Sequence, residues 1–219
     1  MPVRAVLFDF DGVIADTENH HVAAWQRTFN DMGWVVPDDV CARAMELDDR
    51  ALLAELFEDR KIEGGDVEGW VRRKQETTRM LLRDAPRVYP GVVTLVETLQ
   101  ARGVRLAVVT TTWRENVSAV LESVGLWSAF QVVVGKEDVA ATKPDPECYR
   151  KAVKTLGVRA SSAVAIEDST TGLTAARQAG VKVVAVGHRR PNGEWTGDAP
   201  FVGDLTDHRG LLETLGLND

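Results

Sequence analysis

Short apolar runs punctuate the chain at Val3 to Phe8, Leu106 to Val109, Val132 to Val134, Val164 to Ile166 and Val181 to Val186. Each is followed by a longer amphipathic stretch, and this alternation predicts parallel strands joined by helical crossovers, an α/β fold. Helices are expected from Pro90-Gly91 to Arg102, Glu115 to Val124, Pro146 to Leu156 and Gly172 to Ala179, with Gly103, Gly125, Gly157 and Gly180 as their stops. Between the first strand and Tyr89-Pro90-Gly91 the pattern changes. Residues 18–84 carry long stretches of 3.6-residue period, many charges and no convincing strand, so they are expected to form an inserted helical domain. The remaining residues, 1–17 and 85–219, form the core. Ligands of open parallel sheets sit outside the carboxyl ends of the strands. An insertion leaving just after Asp11 is therefore expected to act as a cap. Gly187 to Pro200, rich in Gly, Pro and Asn, reads as a surface loop.

Composition narrows the partners more than the fold. The 219 residues suit one domain with an insertion, or two small ones. With 33 acidic against 26 basic residues the net charge is -7, which argues against a general binder of nucleic acid or of anionic membranes. The first apolar run is too short for a signal peptide's hydrophobic region or a membrane span, and a cytoplasmic protein is expected. Cys41 and Cys148 lack metal-ligand spacing and read as reduced thiols. No protein partner is evident.

The chemistry concentrates at strand ends. The first run leads into Asp9-Phe10-Asp11-Gly12, and residues two apart in an extended segment point the same way before Gly12 lets the backbone turn. One carboxylate of such a pair can attack while the other handles protons. Three further stations follow: Thr110-Thr111-Thr112 after the second run, Lys143-Pro144 after the third, and Glu167-Asp168-Ser169 closing the fourth. In this order they resemble the haloacid dehalogenase superfamily of phosphotransferases with an aspartate nucleophile. The helical insertion resembles the branch that includes β-phosphoglucomutase and small sugar phosphatases such as xylulose-bisphosphate phosphatase. The likeness covers nearly the whole chain and implies a Rossmann-like parallel sheet core with an inserted helical cap.

This resemblance implies a set of roles. Asp9 is the nucleophile and forms an aspartyl-phosphate, while Asp11 protonates the leaving oxygen and then activates the next attacker. Phosphate monoesters hydrolyse very slowly and repel a carboxylate, so a hard cation, magnesium, is expected on Asp9, Asp168 and the backbone carbonyl of Asp11. Glu167 is a further ligand or an acceptor one layer out; both readings stand. Thr110, the backbone at Thr111 and Lys143 hold the phosphoryl oxygens. Thr112 reads better as the N-cap of the following helix. His21 and Trp25 share one helix face and match a pattern in which the histidine positions substrate, with plain packing as the alternative. Lys74, in Arg72-Arg73-Lys74, is either a substrate contact or part of a charged helix face.

Two departures shape the functional expectation. Where the mutases place an arginine for a distal phosphate, this chain reads Met45-Glu46-Leu47-Asp48-Asp49-Arg50, with acidic Asp48 at the critical position and Arg50 two residues on. Trp113 replaces a basic residue of the mutase pattern. The expectation is a magnesium-dependent phosphatase of a small phosphorylated metabolite, a sugar phosphate, with a β-phosphoglucomutase-type mutase as the alternative. A metabolite-sensing or partner-docking module is the reading from another class.

Overall fold

The computed structural model describes residues 2–36, 40, 49–59 and 66–217. In chain order the elements are β1 (Ala5–Phe8), α1 (Glu18–Asp31), α2 (Asp49–Asp59), α3 (Val67–Asp84), α4 (Val92–Ala101), β2 (Arg105–Val109), α5 (Arg114–Ser123), β3 (Val132–Val134), α6 (Glu147–Leu156), β4 (Ala163–Glu167), α7 (Thr170–Gln178), β5 (Lys182–Val186), β6 (Phe201–Val202) and α8 (His208–Leu215). They fall into two compact units, Met1–Asp16 with Arg87–Asp219, and Thr17–Pro86.

The first unit is built on a six-stranded sheet in the order β3-β2-β1-β4-β5-β6, every pairing parallel. The central strands are continuous apolar runs because both faces are covered. Ala5 and Leu7 of β1 face Ala107 and Val109 of β2, Tyr149 and Ala152 of α6, and Leu173 and Ala176 of α7 in one buried cluster. Phe8 meets Phe130 edge to face at 5.8 Å. The four expected helices are present, with limits shifted by at most two residues. Two elements were not foreseen. β6 is a half-buried pair of residues that joins β5 only through Ala185↔Phe201 and Val186↔Val202. α8 buries Leu211, Leu212 and Leu215 and is capped by the Asp207 carboxylate, which accepts from Gly210 N at 3.1 Å.

The regular elements described in the second unit are all helices. Trp25 and Phe29 of α1 stack at 5.0 Å and join Leu52, Leu53 and Leu56 of α2 and Val71 of α3 in a core of their own. Asp66 starts α3 by accepting from Gly69 N at 2.8 Å. At the edge of the first unit, Asp16 N donates to Arg87 O at 2.9 Å and Ala15 bridges Val88 antiparallel. The chain therefore departs and returns side by side.

Candidate active site

The sheet order puts β1 between β2 and β4, so the residues following these three strands converge at one end of the sheet. This is the point where the strand order reverses, the usual ligand crevice of open parallel sheets. Phe8 is level with Val108 and Ile166, and Asp9 N donates to Ile166 O at 3.0 Å. The ladder thus carries Asp9 to the level of Glu167, the last residue of β4, with Asp168 next. After Asp11, Gly12 adopts a φ of 86°, and a Cβ there would strike the Asp168 carboxylate. Only glycine suits both the turn and the approach.

Lys143 ties these strand ends together. Its ammonium donates to Asp9 Oδ1 at 2.8 Å, Glu167 Oε1 at 2.6 Å and Val109 O at 2.8 Å, which uses all three protons. The side chain is 4 % exposed. Burial by itself would discharge such a lysine, but the Asp9 and Glu167 carboxylates outweigh it and hold the ammonium protonated with a raised pKa. The Lys143 donors are directed at protein groups, and the bond to Oδ1 fixes the orientation of the Asp9 carboxylate.

Glu167 is fully buried. Besides Lys143, Tyr149 Oη donates to its Oε1 at 2.5 Å and Ser169 Oγ to its Oε2 at 3.3 Å. A Cβ on Gly172, in the first turn of α7, would collide with this carboxylate. Burial and the Asp9 charge raise the Glu167 pKa against the pull of Lys143 and Tyr149. Asp168 is raised for the same two reasons and opposed by Arg189, whose Nε donates to Asp168 Oδ2 at 2.9 Å.

Asp9, Glu167 and Asp168 each offer a carboxylate oxygen within 4.8 Å of the others, and all three are buried. Three converging hard oxygens with fewer cations than negative charges need suit a hard divalent ion, and the donor set fits one. Among the predicted phosphate-binding residues, buried Thr110 sits beside Asp11, its Oγ1 donating to Asp11 Oδ2 at 3.4 Å while accepting from Thr112 N at 3.0 Å. Thr111 is exposed at the same turn. Thr112 is not the helix cap: α5 begins at Arg114 with Trp113 in the capping position, because the Thr112 amide turns back onto Thr110.

The helical unit brings His21 and Lys74 together. Lys74 is 2 % exposed; its ammonium lies 3.1 Å from His21 Nδ1 and 3.0 Å from Asp49 Oδ1, over the Trp25 ring at 5.4 Å. Burial, then Lys74 and His20, push His21 down to about 3, so it is neutral and its Nδ1 accepts from Lys74. Asp49 also accepts from Gln75. Arg50 forks onto the Glu68 carboxylate at 2.6 and 3.0 Å. Asp48 and Cys41 lie outside the described residues; Cys148 is a buried free thiol.

Tyr149, Asp49 and Arg189 were not singled out from the sequence. Tyr149 occupies an apolar stripe of α6, where a tyrosine and a phenylalanine look alike until the hydroxyl's partner is known. Arg189 lies in a stretch legible only as loop.

The model of haloacid dehalogenase-like hydrolases matches residues 6–186. The chain belongs to this family of enzymes. The phosphorylated carbohydrates phosphatase of Thermotoga maritima is 30% identical over 193 residues, covering 88% of this chain and 89% of that protein. Among solved structures, CbbY from Rhodobacter sphaeroides in complex with phosphate superposes with a TM-score of 0.82 at 29% identity, covering 94% of this chain and 96% of the other. A mutant of the same protein in complex with xylulose-(1,5)bisphosphate gives 0.78 at 29% identity over the same shares. None of the described helices is long and apolar enough to cross a membrane.

Proposed function

We propose that this hydrolase is a magnesium-dependent phosphatase of a small phosphorylated sugar, working through an aspartyl-phosphate on Asp9. The observation that carries the reading is the Lys143 clamp, which holds Asp9 Oδ1 and Glu167 Oε1 at 2.8 and 2.6 Å and leaves Asp9 in one orientation at the mouth of a buried acidic trio. The sugar-phosphate class is supported by the relatives, one a phosphatase of phosphorylated carbohydrates and one crystallised with xylulose-(1,5)bisphosphate.

In this mechanism Asp9 attacks phosphorus with the carboxylate oxygen that Lys143 leaves available. The bond to the leaving oxygen breaks, and Asp11 supplies that oxygen's proton. Water then attacks the acyl phosphate, Asp11 takes up its proton, and inorganic phosphate leaves with Asp9 restored. Thr110, beside Asp11, and the turn at Thr111 supply donors to the phosphoryl oxygens, where charge is spread in the transition state. Asp9, Asp168 and Glu167, with the Asp11 carbonyl, would hold the cation, which supplies positive charge against the incoming phosphate. His21 and Lys74 are assigned to substrate recognition.

The test follows inorganic phosphate from an aryl phosphate and then from a panel of phosphosugars, with magnesium and after exhaustive chelation. Phosphate release that depends on the cation is expected. β-Glucose 1-phosphate with a trace of glucose 1,6-bisphosphate completes the panel: rapid glucose 6-phosphate with little free phosphate would make the enzyme a mutase. No turnover of any ester would leave the sensing module as the better reading.

A further inference from the structure

Arg189 stands where the proposed mechanism has no use for a fixed positive charge. It follows β5 in a loop, and its side chain is 32% exposed, against 4% for its partner Asp168. Its Nε and Nη2 both donate to Asp168 Oδ2, the former at 2.9 Å, and Nη2 also reaches the backbone carbonyl of Asp11 at 3.4 Å. The same two groups are assigned above to the divalent cation. Gly12 makes room for the contact, since a Cβ there would strike Arg189 as well as Asp168.

Two cations cannot share these oxygens without repelling each other. A guanidinium stays charged at every working pH, so it cannot relieve that repulsion by losing a proton. It can move: roughly a third of its surface is already in water, whereas Asp168 is fixed at the end of β4. We propose that Arg189 is a tethered counter-ion of Asp168 that competes with the divalent cation, so that cation loading requires the guanidinium to leave Asp168 Oδ2 and the Asp11 carbonyl. The inference rests on the cation reading above.

The experiment uses the full-length protein stripped with chelator and titrated with Mn²⁺ at fixed ionic strength, free Mn²⁺ being followed by electron paramagnetic resonance. Wild type is compared with Arg189→Met, which keeps bulk without charge, and Arg189→Lys, which keeps charge without the fork. Hydrogen bonds to charged groups are strong, but this one is partly solvated, so Arg189→Met is expected to bind Mn²⁺ about tenfold tighter, with Arg189→Lys between the two. The stripped Met variant should also melt about 2–4 °C below wild type, and the gap should close in saturating Mn²⁺. Unchanged or weaker Mn²⁺ binding by both variants, with wild type binding normally, would overturn the competition and make Arg189 a support for Asp168. Absence of binding by wild type would overturn the cation reading and this inference with it. Should Arg189→Met fail to fold, the affinity of Arg189→Lys decides by the same criterion.

Discussion

Replacing Lys143 by methionine removes the ammonium that bridges Asp9 and Glu167, while preserving most of the side chain's volume. Both partners are buried, Glu167 completely, so the variant holds two carboxylates that water cannot screen. Breaking a buried ion pair from one side typically costs about 3–5 kcal/mol. Protonation of Glu167 limits that cost. Its pKa is already raised in the folded enzyme by burial and by Asp9, with Lys143 opposing, so loss of the lysine drives it further up. A carboxyl group whose folded pKa lies above its unfolded value takes up a proton on folding, and its folded state loses stability as pH rises from the unfolded pKa, about 4.3 for Glu, through the folded one. The deficit of the variant relative to wild type therefore grows with pH. Its slope is about 1.4 kcal/mol for each pH unit across which Glu167 is protonated in the variant and ionised in wild type. Urea unfolding of both proteins at pH 5, 6, 7 and 8 measures this directly. Because wild-type Glu167 titrates at about 7, the deficit should stay nearly level from pH 5 to 6 and widen by about 1.4 kcal/mol between pH 7 and 8. A deficit of the same size at every pH would refute the coupling between Lys143 and Glu167, and a deficit below about 1 kcal/mol at pH 8 would refute the buried clamp.

Further substitutions probe the neighbours. Asp9→Asn should abolish phosphoryl transfer with an unchanged circular dichroism spectrum, and phosphate found by intact mass on any other residue would remove Asp9 from the role. Asp11→Asn should slow turnover by about 10²–10⁴ yet leave Mn²⁺ affinity near wild type, since only its carbonyl is assigned to the cation; a large fall in affinity would show that its carboxylate binds directly. Tyr149→Phe deletes a buried donor to Glu167 and should cost about 1.5–3 kcal/mol in urea unfolding, and a loss under about 0.5 kcal/mol would mean that the hydroxyl bond contributes nothing. Gly12→Ala forces a side chain into both a left-handed turn and the Asp168 carboxylate, so cation affinity and melting temperature should fall together; a variant with wild-type values of both would contradict the crowding at this turn.

How much of this could be read from the sequence depended on how much chain each feature spans. β1, β2, β4 and β5 are runs of Val, Ala, Leu and Ile with both faces buried, and such runs announce themselves without any partner. β6 has only Phe201 and Val202, half-buried, and exists because β5 offers an open edge, which no local pattern reveals. α8 spans only eight residues, so although Leu211, Leu212 and Leu215 have helical spacing and Asp207 and Gly216 flank it as caps, its periodicity is too short to stand out beside the loop before it. Asp9, Asp11, Lys143, Glu167 and Asp168 were legible because each follows or ends a recognisable strand. Their bonding was not: that Lys143 faces inward onto Asp9 and Glu167, or that Lys74 is buried against Asp49, depends on side-chain directions set by tertiary packing. Thr112 shows the same limit at close range, a plausible cap whose amide turned the other way.

The paired backbone at Asp16 and Arg87 has an implication for design and descent alike. Because Asp16 N and Arg87 O stand 2.9 Å apart, a short glycine bridge could join them and seal the parent sheet with its register undisturbed. Seen this way the stem is a socket: whatever folds on its own and ends with its termini adjacent can be spliced there, and the cluster of Asp9, Lys143, Glu167 and Asp168, which lies wholly in the host, would be carried over unchanged. Guests can then be exchanged while the host keeps its own sheet, and a shuffled library at this junction would sample them without redesigning a single strand.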